Sequence, residues 1–186
     1  NSLLVTYVLQ VNATSQSNGN VSYTNLGYRV YPELSVSCDN ELLAPIYDPS
    51  TKRVVLAYSE NTNDKGKCIV GTVDPLKNTI YWGSIVEFEN NYYYDNSLTY
   101  DPIAQKLLLC YWRPSTNVFV AKVGTVDPSD NSISFGTEAT FSEQPQRTRG
   151  AYDPVSKKHV LVYNDVGDSN KAKAVVATVS GDTVTL

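Results

Sequence analysis

The tripeptide Tyr47-Asp48-Pro49 decides the fold, because it recurs as Tyr100-Asp101-Pro102 and as Tyr152-Asp153-Pro154. The copies lie 53 and 52 residues apart. A fixed period of about 50 residues is the signature of a protein built from one supersecondary unit in tandem. We therefore interpret the chain as a series of homologous repeats.

The residues that follow each tripeptide repeat as well. An apolar run that starts with a basic residue and ends on Tyr follows at 52–58, 106–111 and 158–163. Val-Gly-Thr-Val comes next at 70–73 and 123–126, with Val-Ala-Thr-Val at 176–179. The unit closes with Ile-x-(Trp/Phe)-Gly at 80–83 and 133–136. Because Val, Ile, Thr and aromatic residues favour strands, each complete repeat predicts three long strands after a short one.

We call these four strands A to D. In the third repeat, A lies around 98–100, B at 106–112, C at 118–126 and D at 132–141. The Asp-Pro stretch between C and D favours a hairpin turn, since Pro fixes φ and Asn tolerates turn geometry. The sequence predicts an all-β fold: a β-propeller-like array of four-stranded antiparallel blades, with incomplete repeats at both ends.

All of residues 1–186 are assigned to a single repeat domain. Repeat 1 is partial (1–43), repeats 2 and 3 are complete (44–96 and 97–148), and repeat 4 is truncated (149–186). The first repeat aligns only with strands C and D, and the last one stops within D. Because an open strand edge tends to pair with another chain, we expect neighbouring repeats of a longer chain, or self-association by strand addition, to complete the end sheets.

Together these motifs resemble a tandem, β-propeller-like repeat of about 50 residues that occurs in large secreted or cell-surface proteins and in phage tail-associated proteins. The resemblance covers nearly the whole chain from Leu3 onward. It implies adhesion, ligand presentation or a structural role, and an extracellular or surface-associated location. The first repeat departs from the pattern, with Leu9-Gln10-Val11 where later copies have Gly-Thr-Val or Ala-Thr-Val.

The composition narrows the classes of partner. A chain of 186 residues with 41% apolar content is large enough for one core. Its net charge of −4 and pI of about 4.9 predict no basic surface for nucleic acid. No apolar run reaches the roughly 18 residues that a membrane span needs. The chain has no Met, and we interpret it as a segment or a processed chain.

Few residues offer catalytic or metal chemistry. The single histidine, His159, lies in an apolar strand, and we interpret it as a strand residue rather than as a general base. The three cysteines lack the short spacings of a zinc site. Cys68 and Cys110 fit core positions as small residues, and a disulfide from Cys38 to either of them stays open.

The recurring carboxylates Asp48, Asp101 and Asp153 are the natural acid–base groups of a propeller glycoside hydrolase. Each precedes Pro, however, where Asp favours a turn through a side-chain bond to nearby backbone. Solvated faces explain the glutamates near the ends of the D strands, which are Glu87, Glu89, Glu138 and Glu143. We therefore expect no enzyme: no catalytic residues, no metal site and no cofactor.

Aromatic residues near the start of strand A are the candidate ligand contacts. Tyr92, Tyr93 and Tyr94 lie in the loop between D and the next A, and Trp112 ends strand B. Tyrosine combines apolar surface with a hydroxyl, which suits sugars or proteins, and packing between blades is the alternative explanation. Asn12 and Asn20 begin N-glycosylation sequons and are candidate glycan acceptors in a secreted eukaryotic chain.

These features together predict a non-catalytic structural or adhesive repeat module of an extracellular or surface assembly, one that polymerises by strand complementation. Two alternatives remain. One is a carbohydrate-binding, lectin-like propeller with glycans as partners. The other is a propeller glycoside hydrolase.

Overall fold

The computed structural model describes residues 14–15, 21–22, 43–60, 64–77, 79–141 and 143–186, the first two pairs by their backbone alone. β1 (Thr14–Ser15) pairs with β2 (Val21–Ser22) in a short antiparallel hairpin. The remaining strands form three antiparallel sheets, which we call sheets I, II and III. The candidate glycan acceptors Asn12 and Asn20, and also Cys38, lie outside the described residues.

Each sheet consists of consecutive strands. Sheet I contains β3 (Ala44–Asp48), β4 (Arg53–Glu60), β5 (Lys65–Asp74), β6 (Thr79–Trp82) and β7 (Val86–Glu89). Sheet II contains β8 (Tyr94–Asp101), β9 (Lys106–Arg113), β10 (Val118–Asp127), β11 (Ser132–Phe135) and β12 (Ala139–Phe141). Sheet III contains β13 (Pro145–Asp153), β14 (Lys158–Asp165), β15 (Lys171–Ser180) and β16 (Thr183–Thr185), with a 3-10 helix at Val166–Asp168. The all-β class and the antiparallel sheets of four to five strands are thus confirmed, whereas the propeller arrangement and the repeat boundaries stay predictions.

Strand D differs from the prediction, because it is split in sheets I and II. In sheet II, β11 pairs with one end of β10 and β12 with the other end. In sheet I, β6 likewise pairs with one end of β5 and β7 with the other end. The interruption begins at Gly83 and Gly136, whose N–H groups still donate to Val70 O at 2.8 Å and to Val123 O at 2.9 Å.

The turn between strands A and B has the same hydrogen bonds and the same backbone conformation in all three sheets. Asp48, Asp101 and Asp153 accept hydrogen bonds from the backbone N–H groups two and three residues ahead, at 2.8–3.3 Å. Four residues after each Asp the backbone is left-handed, with φ of 59°, 54° and 59° at Lys52, Gln105 and Lys157. The expected turn role of the three aspartates is confirmed by these bonds.

The sheets stack in chain order with their A strands side by side, so that β3 contacts β8 and β8 contacts β13. Two apolar clusters fill the spaces between sheets. The cluster between sheets I and II includes Val55, Ala57, Cys68, Val70, Leu107 and Leu109. The cluster between sheets II and III includes Leu108, Cys110, Ala121, Val123, Leu161 and Ala177. Sheet II is therefore buried on both faces, which explains the unbroken apolar run in β9.

Candidate functional site

The contacts between sheets are the most regular feature of the molecule, and one of them involves the turn between strands C and D. Arg53, the first residue of β4, donates from Nε to Oδ1 of Asn131 at 2.6 Å. Thr72 of β5 donates to the same oxygen at 2.9 Å. Because Asn131 lies in the turn between β10 and β11, two side chains of sheet I hold a turn of sheet II. We call this arrangement the turn contact.

The turn contact recurs between sheets II and III. Lys106, the first residue of β9, donates to Thr125 Oγ1 at 2.6 Å and to Asp182 Oδ1 at 3.0 Å. Thr125 of β10 donates to the same carboxylate oxygen at 3.1 Å. Hydrogen bonds from Lys106 and Thr125 hold the pKa of Asp182 below its ordinary value. Asp182, between β15 and β16, therefore has the role of Asn131.

A glycine permits each turn to approach the preceding sheet. An ideal Cβ on Gly83 would lie 2.0 Å from the carbonyl oxygen of Asn131, and one on Gly136 would lie 1.9 Å from the carbonyl oxygen of Asp182. No side chain fits at such distances, so only glycine allows the observed spacing. The glycine of the Ile-x-(Trp/Phe)-Gly motif is thus explained by packing between sheets.

The far end of each interface carries a second repeated arrangement, which we call the glutamate contact. Between sheets I and II, Glu89 Oε2 accepts from Tyr111 Oη at 2.9 Å and from Arg113 Nε at 2.7 Å. Arg113 also binds Glu138 through both terminal nitrogens, at 3.0 and 2.8 Å. The expectation of a solvated carboxylate is wrong for Glu89, since this side chain is buried against sheet II.

The electrostatics of Glu89 follow from these partners. Burial alone would raise the pKa of Glu89, but hydrogen bonds from Arg113, Asn91 and Tyr111 hold it below its ordinary value. Burial, with the negative charge of Glu89 beside it, raises the pKa of Tyr111. The carboxylate is therefore ionised and the phenol protonated at neutral pH, as a fixed charge-assisted contact requires.

Sheets II and III repeat the glutamate contact with other residues. Tyr163 of β14 donates from its hydroxyl to Oε2 of Glu143. Lys173 of β15 supplies the cation, 3.7 Å from Oε1 of Glu143 and 2.5 Å from Oδ2 of Asp165. A tyrosine, a glutamate and a cation thus meet in both interfaces, although the cation belongs to β9 in the first and to β15 in the second.

Sheet III has a face that points away from sheet II, and we call it the outward face. It is formed by the opposed pairs Val160–Val176, Val162–Ala174 and Asn164–Ala172. Lys158 lies at one end, where its Nζ donates to Thr178 Oγ1 at 2.7 Å. At the other end lies an open polar depression of about 580 Å³, lined by Gln146, Arg147, Asn164, Asn170 and Ala172.

The structure separates the predicted ligand-contact residues. Tyr92 and Tyr94 are 39% and 37% exposed, with ring centroids 4.6 Å apart. Tyr94 stacks on Trp112 at a centroid distance of 5.2 Å. Tyr93 is fully buried beside Phe88, which favours the packing explanation for this residue. Tyr92 and Tyr93 precede β8, which begins at Tyr94.

His159 lies between sheets II and III, and its partners there were not predicted from the sequence. Its Nδ1 is 2.7 Å from Thr99 Oγ1, and its Nε2 is 3.7 Å from Asp101 Oδ2. All three residues are buried. Burial lowers the pKa of His159, against a smaller raising effect of Asp101. The neutral ring therefore acts as a packing and hydrogen-bonding group.

The remaining chemistry-bearing residues form no centre in the described part of the chain. Cys68 and Cys110 are free, buried thiols, so neither is joined to Cys38. Burial raises the pKa of Cys68 to about 12. Among the described residues, no three His, Cys, Asp or Glu side chains are placed to hold a metal ion. In that same part of the chain, no helix is long and apolar enough to cross a membrane.

Comparisons with known proteins do not assign the chain to a family. No protein-family model matches the chain. Searches of curated proteins and of solved structures found no match either.

Proposed function

We propose that this chain is a non-catalytic structural or adhesive repeat module of an extracellular or surface assembly, built as a propeller-like array of blades. One observation carries the proposal: two successive interfaces repeat the same kinds of contact. The turn contact, the glycine and the glutamate contact all recur.

The repetition is informative because the same contact forms even where the residues that make it differ. Arg53 and Lys106 differ, as do Asn131 and Asp182, yet each pair makes equivalent bonds. An array in which every unit contacts only its neighbours gains stability from each of its nearest-neighbour interfaces. Such arrays serve as scaffolds and binding surfaces, which supports a structural or adhesive role.

The proposal is tested by imaging the purified chain in negative stain at neutral pH, over a range of concentrations. We expect particles or fibres far larger than the 20.5 kDa monomer. Monodisperse particles of monomer size at every concentration would contradict the assembly role.

A second candidate, a carbohydrate-binding module, is favoured by the exposed Tyr94 stacked on Trp112. Aromatic faces pack against the apolar faces of sugar rings. A glycan array tests it, with Tyr94→Ala expected to abolish any binding. Tyr47→Ala, at another exposed tyrosine, is the matched control. An array without hits would eliminate this candidate. The glycoside hydrolase alternative gains no support from Asp48, Asp101 and Asp153, whose oxygens accept turn N–H groups.

A further inference from the structure

Strand C of sheet III lacks, within the described residues, a pairing that strand C has in both other sheets. In sheet I, β7 pairs with residues 66–68 of β5, and in sheet II, β12 pairs with residues 119–121 of β10. Alignment on the Val-(Gly/Ala)-Thr-Val motif shows that the matching residues of β15 are 172–174. In the described part of the chain, β16 pairs with β15 only at residues 178–180, so the same side of residues 172–174 is unpaired.

The backbone of β15 is oriented to accept a strand at this place. In β10, the carbonyl of Val123 accepts from the N–H of Gly136, which lies on the side of β11 and β12. Because the N–H and C=O groups of a residue point to one side of a strand and alternate along it, Ala172 and Ala174 direct theirs to the unpaired side. Both alanines are exposed. Backbone groups at such an edge are a template for another strand.

The strand that occupies this place in sheets I and II carries a phenylalanine. Phe88 of β7 lies against Gly66, where an added Cβ would come within 2.5 Å of the ring. Phe141 of β12 lies opposite Phe119, and their rings stack with centroids 4.7 Å apart. The matching residue of β15 is Ala172, whose small side chain leaves room for an aromatic ring.

The polar depression of the outward face lies at the same place. Ala172 lines it with the residue opposite in β14, Asn164, and with Gln146, Arg147 and Asn170. Its volume of about 580 Å³ is in the range of ligand sites. A guanidinium such as that of Arg147 packs favourably against the face of an aromatic ring.

The charges of β15 resemble those of β5. Lys-Ala-Lys at 171–173 matches Lys-Gly-Lys at 65–67. In sheet I, Glu87 of β7 forms ion pairs with both lysines, at 3.1 and 3.7 Å. Lys173 already has three carboxylates within 3.7 Å. Lys171 binds Asp168 alone and its side chain is 66% exposed, so an acidic residue of an incoming strand can reach it.

We propose that the unpaired side of β15 binds an extended segment of a partner protein as an additional antiparallel strand. The segment places an aromatic ring over Ala172 and an acidic residue beside Lys171, and it therefore has the apolar–acidic–aromatic pattern of Val86-Glu87-Phe88. In strand addition the main chain supplies affinity and the side-chain pockets supply specificity. The inference goes beyond the proposed function, because it assigns a binding site and the sequence pattern of its partner.

Fluorescence anisotropy tests the proposal, with a labelled synthetic peptide of the sequence 84–91 titrated with the whole chain at neutral pH. We expect saturable binding, and binding at least roughly tenfold weaker by a peptide that carries Phe88→Ala. A peptide that does not bind, or two peptides that bind alike, would overturn the inference. Fibres in negative stain without peptide binding would leave the proposed function standing, and peptide binding by a chain that stays monomeric would do the reverse.

Variants of the chain locate the site. Ala174→Pro removes an N–H on the unpaired side and leaves the bonds to β14, so we expect it to abolish peptide binding with unaltered circular dichroism. Ala172→Trp fills the place of the incoming ring and is expected to weaken binding at least roughly tenfold. Ala151→Trp, at an exposed alanine of β13 on the same face, is the matched control and is expected to bind as wild type does. Equal binding by the two tryptophan variants would overturn the inference.

Discussion

Replacing Gly136 by alanine is expected to force sheets II and III apart. The new Cβ would lie 1.9 Å from the carbonyl oxygen of Asp182, and real Cβ contacts stay beyond 3.0 Å, so the turn must retreat by at least about 1 Å. That movement breaks the bonds of Asp182 with Lys106 and Thr125. Overpacking a tight interior contact costs about 1–3 kcal/mol. We expect the upper part of that range, because a backbone carbonyl cannot rotate away as a side chain can.

Equilibrium urea unfolding, followed by the fluorescence of Trp82 and Trp112, measures this cost. Gly167→Ala is the control, since its new Cβ would meet nothing closer than the Asp165 carboxylate at 3.3 Å. We expect the control to stay within about 0.5 kcal/mol of wild type. A Gly136→Ala chain as stable as the control would refute the close approach between the turn and the glycine.

Three further predictions follow from buried groups. Because burial lowers the pKa of His159, the unfolded chain takes up a proton before the folded chain does as the pH falls below about 6.5. Thermal stability should therefore decline from pH 7.5 to 5.5, and His159→Gln should flatten this slope; an equal slope in the variant would refute the assignment. Glu89→Gln removes the buried charge that pairs with Arg113 and should cost about 3 kcal/mol in urea unfolding, against less than about 1 kcal/mol for the surface control Glu87→Gln. Equal losses in the two variants would contradict the glutamate contact. Cys68 and Cys110 should react with iodoacetamide only after unfolding, as peptide mass spectrometry would reveal, and labelling of either thiol in the folded chain would contradict their burial.

The strands and turns could be predicted because the repeat shows them three times. Runs such as Leu107-Leu108-Leu109 indicate a strand buried on both sides, and Asp-Pro indicates a turn by local chemistry. The two short strands that replace D could not be predicted, since the break at Gly136 depends on a turn from the next sheet.

The contacts between sheets could not be predicted from the sequence for a similar reason. The turn that carries Asn131 joins Asp127 to Ser132, whereas the turn that carries Asp182 joins Ser180 to Thr183 and is two residues shorter. Their shared role is therefore hidden in an alignment. Glu89 carries no local signal of burial, because its partners lie on the next sheet.

Double-mutant cycles across the two interfaces, measured by equilibrium urea unfolding, test the central claim most directly. The claim is that the same turn contact joins sheet I to sheet II and sheet II to sheet III. We predict that Lys106→Ala and Asp182→Ala together cost less than the sum of the two single losses, and that Arg53→Ala and Asn131→Ala behave in the same way. Losses that simply add in both cycles would contradict the claim.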